Sequence, residues 1–437
     1  MKKILLGTLA VLTLAACSKD EVIQQNPNDE ITFSVVTNKA VSRAADGYCN
    51  KAKPKDFQVW AEVGNKNYFA QERYVLSSGS TYTISGPVRY WPETDATKIN
   101  FYAACNKGVK EILDEHGVGT GTFEEAESDV AINGWTSETT TTPATKVIEG
   151  YTIENDVTKQ KDLLYAVVKD ATRPAGTEGK IAINFRHALS QIEFMAKNEN
   201  PNIYVEISQV KVCQVNSKGN FTFPTSATTP NVPEHDYTGS YPTASVGKWA
   251  NWSTLANYET TTFTAVPLSQ KKVTGESPLT YDAAQADASG LTTKKDDSGK
   301  EYSSNTMYLL PQGFQAADGL DANLTKVWSG SGKPTAGAHF LVKTKIWNVA
   351  AGDGKRTDDA NNIVLWGATD GKDIAVPMPA DTNWEHGKRY VYTFVFTTIG
   401  NGGTDPEKGE PVLVPIKLNV TVDDFVDGGN KDVTMNK

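Results

Sequence analysis

Apolar residues along this chain recur with a period of two far more often than with the 3.6 of a helix. Ile31, Phe33 and Val35 alternate with Thr32 and Ser34, Phe57 to Val63 repeats the pattern, and Ile99, Phe101 and Ala103 continue it. Further strands are predicted over Ile181–Phe185, Ile192–Ala196, Tyr204–Val215, Thr306–Leu310, Phe340–Trp347, Arg389–Thr397 and Val412–Val422. These runs are rich in Thr, Val, Tyr and Trp, which suit a pleated, half-buried surface, and Gly, Asn, Asp and Pro punctuate them. Helix is expected only over Val109–His116 and in a turn near Thr254–Tyr258. The pattern predicts an all-β chain of sandwich type.

At 437 residues the chain is long enough for two such domains. The segment Lys169–Gly179, with Pro174 and Gly176, is the expected boundary, giving domains over 44–178 and 179–437. Thr136–Thr145 and the Gly, Ser, Asp and Lys-rich Ala283–Ser304 are expected as loops, and no repeat of fixed period is evident.

The first residues follow a different rule. Met1-Lys2-Lys3 is a charged start, Ile4–Ala16 is a short apolar run, and Leu14-Ala15-Ala16-Cys17 closes it. This is the anatomy of a signal peptide over 1–16, too short to cross a hydrocarbon core of about 30 Å as a helix. The closing tetrapeptide resembles the bacterial lipobox, which implies cleavage between Ala16 and Cys17 and lipidation of Cys17. The polar Ser18-Lys19-Asp20-Glu21 and Gln24–Glu30 then read as a solvated tether. The former resembles the acidic surface-export signal of Bacteroidetes lipoproteins, which implies an outward-facing protein on the outer membrane. Two or three acyl chains, palmitate among them, anchor far better than one.

Charge and chemistry narrow the function classes. The net charge is −9, becoming −11 once Lys2 and Lys3 leave with the signal, and no basic cluster offers itself to nucleic acid. Cys49, Cys105 and Cys213 form no C-x-x-C pair; they read as small buried hydrophobes, with one bridging pair as the alternative. The histidines (His116, His187, His235, His339, His386) lack metal-ligand spacing, and neither H-E-x-x-H nor G-x-S-x-G occurs. Ser331-Gly332-Lys333 fails as a phosphate loop because Val327 and Pro334 stand at its defining positions. Gly352-Asp353-Gly354 with Asp358 and Asp359 reads as a polar hairpin tip rather than a calcium loop. Asp423-Asp424 point to opposite faces of a strand and read as its solvated end. No catalytic residue, metal or cofactor is expected. Trp249 and Trp252, in loop-like sequence, are the candidate glycan contacts, whereas Trp60, Trp91, Trp347, Trp366 and Trp384 lie in or beside apolar strand patterns and read as core.

A series of short signatures runs through the chain in order. Ile31-Thr32-Phe33-Ser34 is followed by Ser42-Arg43-Ala44, then Arg89-Tyr90-Trp91-Pro92, and Asp162-Leu163-Leu164-Tyr165 precedes Phe185-Arg186-His187-Ala188-Leu189-Ser190. Leu309-Leu310-Pro311-Gln312, Trp384-Glu385-His386-Gly387-Lys388-Arg389-Tyr390 and Val422-Asp423-Asp424-Phe425 complete it. The series resembles the fimbrillin-like family of Bacteroidetes surface lipoproteins. The resemblance implies two transthyretin-like β-sandwich domains in tandem and a role as subunit or accessory adhesin of a type V pilus. It also implies a removable N-terminal segment, residues 17–43. An Arg-specific protease would cut between Arg43 and Ala44 and carry off the strand bearing Ile31, Phe33 and Val35, leaving a groove for a neighbouring subunit's strand.

The implied partners are therefore other pilin subunits, identical or different, and the outer membrane through the lipid. A host or bacterial surface glycan or protein is the further candidate. Val412, Val414, Ile416, Leu418, Val420 and Val422 share one face of a strand that is either a donor or the last strand of the second domain. The rival expectation is a non-polymerising surface lipoprotein that binds a glycan or host protein.

Overall fold

The computed structural model describes residues 29–35 and most of 54–424. Outside the described residues lie 1–28, 36–53, 131–145, 229–247, 279–293, 314–337, 349–362 and 425–437, with shorter stretches between strands. Cys17, Arg43, Ala44 and Cys49 fall there, as do Thr136–Thr145, Ser331–Pro334 and Gly352–Gly354. The described chain is built of β-strands.

In chain order the first strands are β1 (Thr32–Val35), β2 (Asp56–Val63), β3 (Lys66–Ser78), β4 (Thr81–Ile84) and β5 (Ile99–Lys107). They are followed by β6 (Val109–Leu113), β7 (Gly119–Glu125), β8 (Val147–Thr152), β9 (Asp162–Ala171), β10 (Lys180–Ile183) and β11 (Arg186–His187). Eight of these make one sheet in the order β10-β1-β4-β3-β2-β5-β9-β11. The sheet rolls over on itself, so that Phe33 of β1 meets Phe101 of β5 at 5.3 Å between ring centroids although β4, β3 and β2 intervene in the sheet. Inside the roll, buried residues from every strand but β11 form one apolar core.

The central strands bury their other face too. On β9, Leu164 and Ala166 enter that core, while Leu163, Tyr165 and Val167 enter a second one. Trp60 of β2 and Tyr102 and Ala104 of β5 do the same. Across this outer face lies a four-stranded sheet made of β8, β14 (Lys218–Thr222), Trp252–Thr254 and Lys248–Trp249. Phe221 of β14 packs on Tyr165 at 4.8 Å, and Phe223 packs on Tyr102 at 5.8 Å.

The second core belongs mainly to a twelve-stranded sheet that begins with β12 (Ser190–Asn198) and β13 (Ile203–Cys213). Its main path runs Thr262–Thr264, β13, His339–Asn348, Lys372–Pro377, Gly402–Thr404, Pro411–Asp424, Lys388–Phe396, β12, Gly275–Pro278. The path folds into two layers: Phe340 from the first half lies 5.7 Å from Phe194 and 4.7 Å from Tyr392 in the second. Aromatic edges and faces interlock there as in other sandwich cores.

The described strands differ from the sequence reading at four places. Val109–Leu113 is a strand, β6, paired antiparallel with β7, not the start of a helix. Five residues with β-branched Val109 and Ile112 nucleate a helix poorly, and β7 supplies a ladder. Thr254 ends a strand, while 255–258 lie outside the described residues. The first sheet also continues to His187, past the boundary expected at 178/179, because β10 returns to pair with β1 and β11 pairs with β9. Finally, the polar stretch Ala283–Ser304 contains two short paired strands, Lys294–Lys295 and Glu301–Tyr302.

Polar groups fasten the two halves. Asp162, fully buried, holds the His187 ring at 2.6 Å, and His386 Nδ1 lies 3.3 Å from the His187 carbonyl oxygen. The Tyr308 amide donates to Gln160 Oε1 at 2.8 Å. Elsewhere, Asp405 caps the turn that leads into Pro411–Asp424, accepting from the backbone amides of Glu407 and Lys408 and from Lys372 Nζ at 2.6 Å. Burial alone would raise the Asp405 carboxyl, but these hydrogen bonds and the Lys372 charge outweigh it and hold it below its ordinary range.

Two outcomes follow. Asp162→Ala leaves a buried histidine without its carboxylate and should cost about 3–5 kcal/mol in urea denaturation, a loss under about 1 kcal/mol counting against the pairing. A depressed folded pKa stabilises above the unfolded carboxylate value and is lost as pH falls through the folded one. Asp405→Asn should therefore shed less stability than the parent between about pH 5 and about pH 2, and parallel denaturation midpoints across that range would contradict this.

Candidate functional site

β1 lies inside the first sheet, not at its edge. It runs parallel to β10, with Thr32 opposite Lys180, Phe33 opposite Ile181, Ser34 opposite Ala182 and Val35 opposite Ile183. On its other side it runs antiparallel to β4, with Phe33 opposite Tyr82 and Ser34 opposite Thr81. Ile31, Phe33 and Val35 are buried, and Thr32 and Ser34 are half-buried.

Phe33 occupies a box of aromatic rings. Tyr74 stands at 4.7 Å, Phe101 at 5.3 Å and Phe57 at 5.8 Å, all edge to face. Tyr82 closes the rear by packing on Phe57 at 4.9 Å while its hydroxyl donates to the Pro54 carbonyl at 2.6 Å. Burial, with Glu72 and Glu30 nearby, pushes the Tyr74 hydroxyl far up. The residues before β1 are pinned as well. The Ile31 amide donates to the Arg89 carbonyl at 2.8 Å, the Trp91 amide donates to the Asp29 carbonyl at 2.7 Å, and Asp29 pairs with Arg173 at 3.1 Å.

Burying Ile31 together with Phe33 and Val35 of β1 contributes about 5–9 kcal/mol at about 1.5–3 kcal/mol each. Its withdrawal would strip that apolar surface and leave the facing N–H and C=O groups of β4 and β10 unpaired. The next described residue after Val35 is Pro54, so Arg43 and Ala44 stand in the stretch that joins β1 to β2.

The terminal strand Pro411–Asp424 divides its pairing between two partners of the second sheet. Ile416–Asp424 pairs antiparallel with Lys388–Phe396 along that strand's whole length, and Pro411 and Pro415 stand opposite Thr404 and Gly402. Val412, Val414 and Ile416 are buried, and Leu418, Val420 and Val422 pack partly buried against the core. Asp423 and Asp424 stand opposite Arg389 and Lys388 in the register. Trp249 and Trp252 are backbone partners in one short hairpin, Trp252 also standing opposite Phe221. Trp60, Trp91 and Trp384 are core residues, and Cys105 and Cys213 are buried and unbridged.

The groove walls were not foreseen from the sequence: Tyr74 and Tyr82 lie in a hairpin without clean alternation, and Ile181 and Ile183 fall beyond the expected domain boundary. Another concave feature, a cleft of about 480 Å³ between β5, β8 and the start of β9, was also unforeseen. Its Asp129 is committed to Lys161 at 2.7 Å and to Asn106, and so serves to hold residues 127–130 in place. Among the described residues no group of His, Cys, Asp and Glu is arranged to hold a metal.

The chain is similar to a solved fimbrial protein from Bacteroides vulgatus, at 14% identity and a TM-score of 0.44, covering 91% of this chain and 100% of the other. It is also similar to a fimbrial assembly protein from Parabacteroides distasonis, at 8% identity and a TM-score of 0.33, covering 90% and 96%. No curated protein matches the sequence. Residues 1–18 match the model of the prokaryotic membrane lipoprotein lipid attachment site. Residues 42–309, more than half of the chain, match the model described as fimbrillin-like, and the chain belongs to that family.

Proposed function

We propose that this protein is a structural subunit or accessory adhesin of a type V pilus, delivered as a lipoprotein on Cys17 and assembled by strand addition after cleavage between Arg43 and Ala44. Family membership and the lipid attachment site make it a membrane-anchored surface protein with a structural rather than enzymatic role. The observation that carries the finer reading is the position of β1. It is a short strand with buried side chains, bonded on both sides, and joined to the rest of the domain by the stretch that contains Arg43.

A cut there would leave β1 held only by its own contacts. Its departure with the lipid would expose an apolar groove lined by two unpaired strand edges. An extended segment of a neighbouring subunit satisfies both needs at once, because it brings backbone donors and acceptors together with alternate apolar side chains. Precursor and assembled form then differ only in which chain supplies the strand.

The N-terminus of the surface form tests the reading. Protein released from cells should begin at Ala44 and migrate as a heat-resistant ladder; a monomer still lipidated at Cys17 would contradict polymerisation and leave a stand-alone anchored binder. Cys17→Ala should abolish acyl labelling and remove the protein from the surface, as judged by protease accessibility of whole cells. Normal surface assembly of that variant would refute the lipoprotein route.

A further inference from the structure

We infer that the site held by β1 selects a strand with an aromatic side chain at its central inward position and an aliphatic one two residues away on each side, so that the strand taken up comes from a different subunit and not from a second copy's terminal strand. The inference rests on the strand-addition reading and names its partner.

Selectivity follows from the shape of the groove. Ile31 and Val35 are buried in the same core, and Phe33 between them is walled by the rings of Tyr74, Phe101 and Phe57, each meeting it edge to face. Such walls hold an aromatic ring through the opposed charge of ring edge and ring face, and a smaller aliphatic group leaves a gap that packed rings do not close. The pattern Ile-x-Phe-x-Val reads alike in both directions, so it constrains side chains without dictating the polarity of the incoming strand.

The terminal strand does not meet this requirement. Its inward residues Val412, Val414, Ile416, Leu418, Val420 and Val422 are aliphatic throughout, so no register offers a ring. Pro411 and Pro415 also lack the N–H that a strand bonded on both sides needs. Among the described residues, the other inward aliphatic-aromatic-aliphatic runs are Leu163-Tyr165-Val167, Ile192-Phe194-Ala196, Ile99-Phe101-Ala103 and Ala338-Phe340-Val342, and all of them are committed to the two cores. A partner chain is therefore the source of the aromatic residue.

The test uses the full chain with a specific protease sequence inserted between Arg43 and Ala44, so that cutting leaves β1 bound without a covalent link. Labelled peptides are then exchanged into the cut protein and their affinities compared. The peptide of residues 27–39 should enter; its Phe33→Leu form should bind about tenfold more weakly and its Phe33→Ala form roughly a hundredfold or more. The peptide of residues 414–424 should not be retained, whereas its Leu418→Phe form, which sets a ring between Ile416 and Val420, should gain at least about tenfold.

Equal affinity of the Phe33 variants, or retention of the unaltered 414–424 peptide, would overturn the selectivity while leaving strand addition intact. No gain from Leu418→Phe would also count against selectivity. If no peptide enters, that of residues 27–39 included, strand addition itself fails and the inference falls with it.

Discussion

An interior β-strand cannot leave a sheet quietly, and the first domain is organised around one. β1 bridges β10 and β4, so it supplies the backbone partners of both. A strand at an edge could fray and expose a single row of polar groups; one in the interior leaves two rows facing a gap. That gap lies over the aromatic residues that also close the roll of the sheet. The contact of Phe33 with Phe101 is at once the seat of β1 and the joint between the two sides of the first core. Filling this position is therefore a condition for the domain, and the identity of the filler is a separate matter.

The remainder of the molecule makes this position a fixed one. β2, β5 and β9 bury both faces, one toward β1 and the other toward β14 and the second domain. Trp60, Tyr102 and Tyr165 thus carry packing from the groove floor to the seam, where Asp162, His187 and His386 meet. Protein interiors packed to this density deform little when a neighbour is lost. The walls of the Phe33 subsite are backed by a second core on the far side of the same strands.

How much of this was legible depends on what each strand faces. Strands with one wet face announced themselves by alternation, as Ile31–Val35 and Phe340–Trp347 did. β9 did not, because Leu163 to Val167 is buried on both sides and presents an unbroken apolar run. β3 was hidden for the opposite reason. It is mostly exposed, and its buried residues Phe69 and Tyr74 are an odd number of positions apart. The ladder with β2 slips between Val59/Glu72 and Ala61/Phe69, near Gln71 at a positive φ of 56°, and this bulge inverts the parity on which pattern reading depends. The box around Phe33 was invisible in sequence because its walls come from β2, β3 and β5, which converge only once the sheet rolls. Pro174 stands between β9 and β10, two strands of one sheet, and local composition does not distinguish such a connection from a linker.

The two ends of the chain play unequal parts for a reason that the packing supplies. β1 owes its place to buried side chains and to ladders on both sides, and the sequence between Val35 and Pro54 joins it to the next described strand. The terminal strand is longer, is paired to two neighbours, and crosses from one layer of the second sandwich to the other. Removing it would open the second core along its length, whereas removing β1 empties one defined slot. A short, separable strand in a well-backed slot suits exchange, and a long strand that joins two layers suits permanence. On the proposed strand addition, the replaceable element stands at the end that carries the lipid attachment site, and delivery and assembly share one segment of chain.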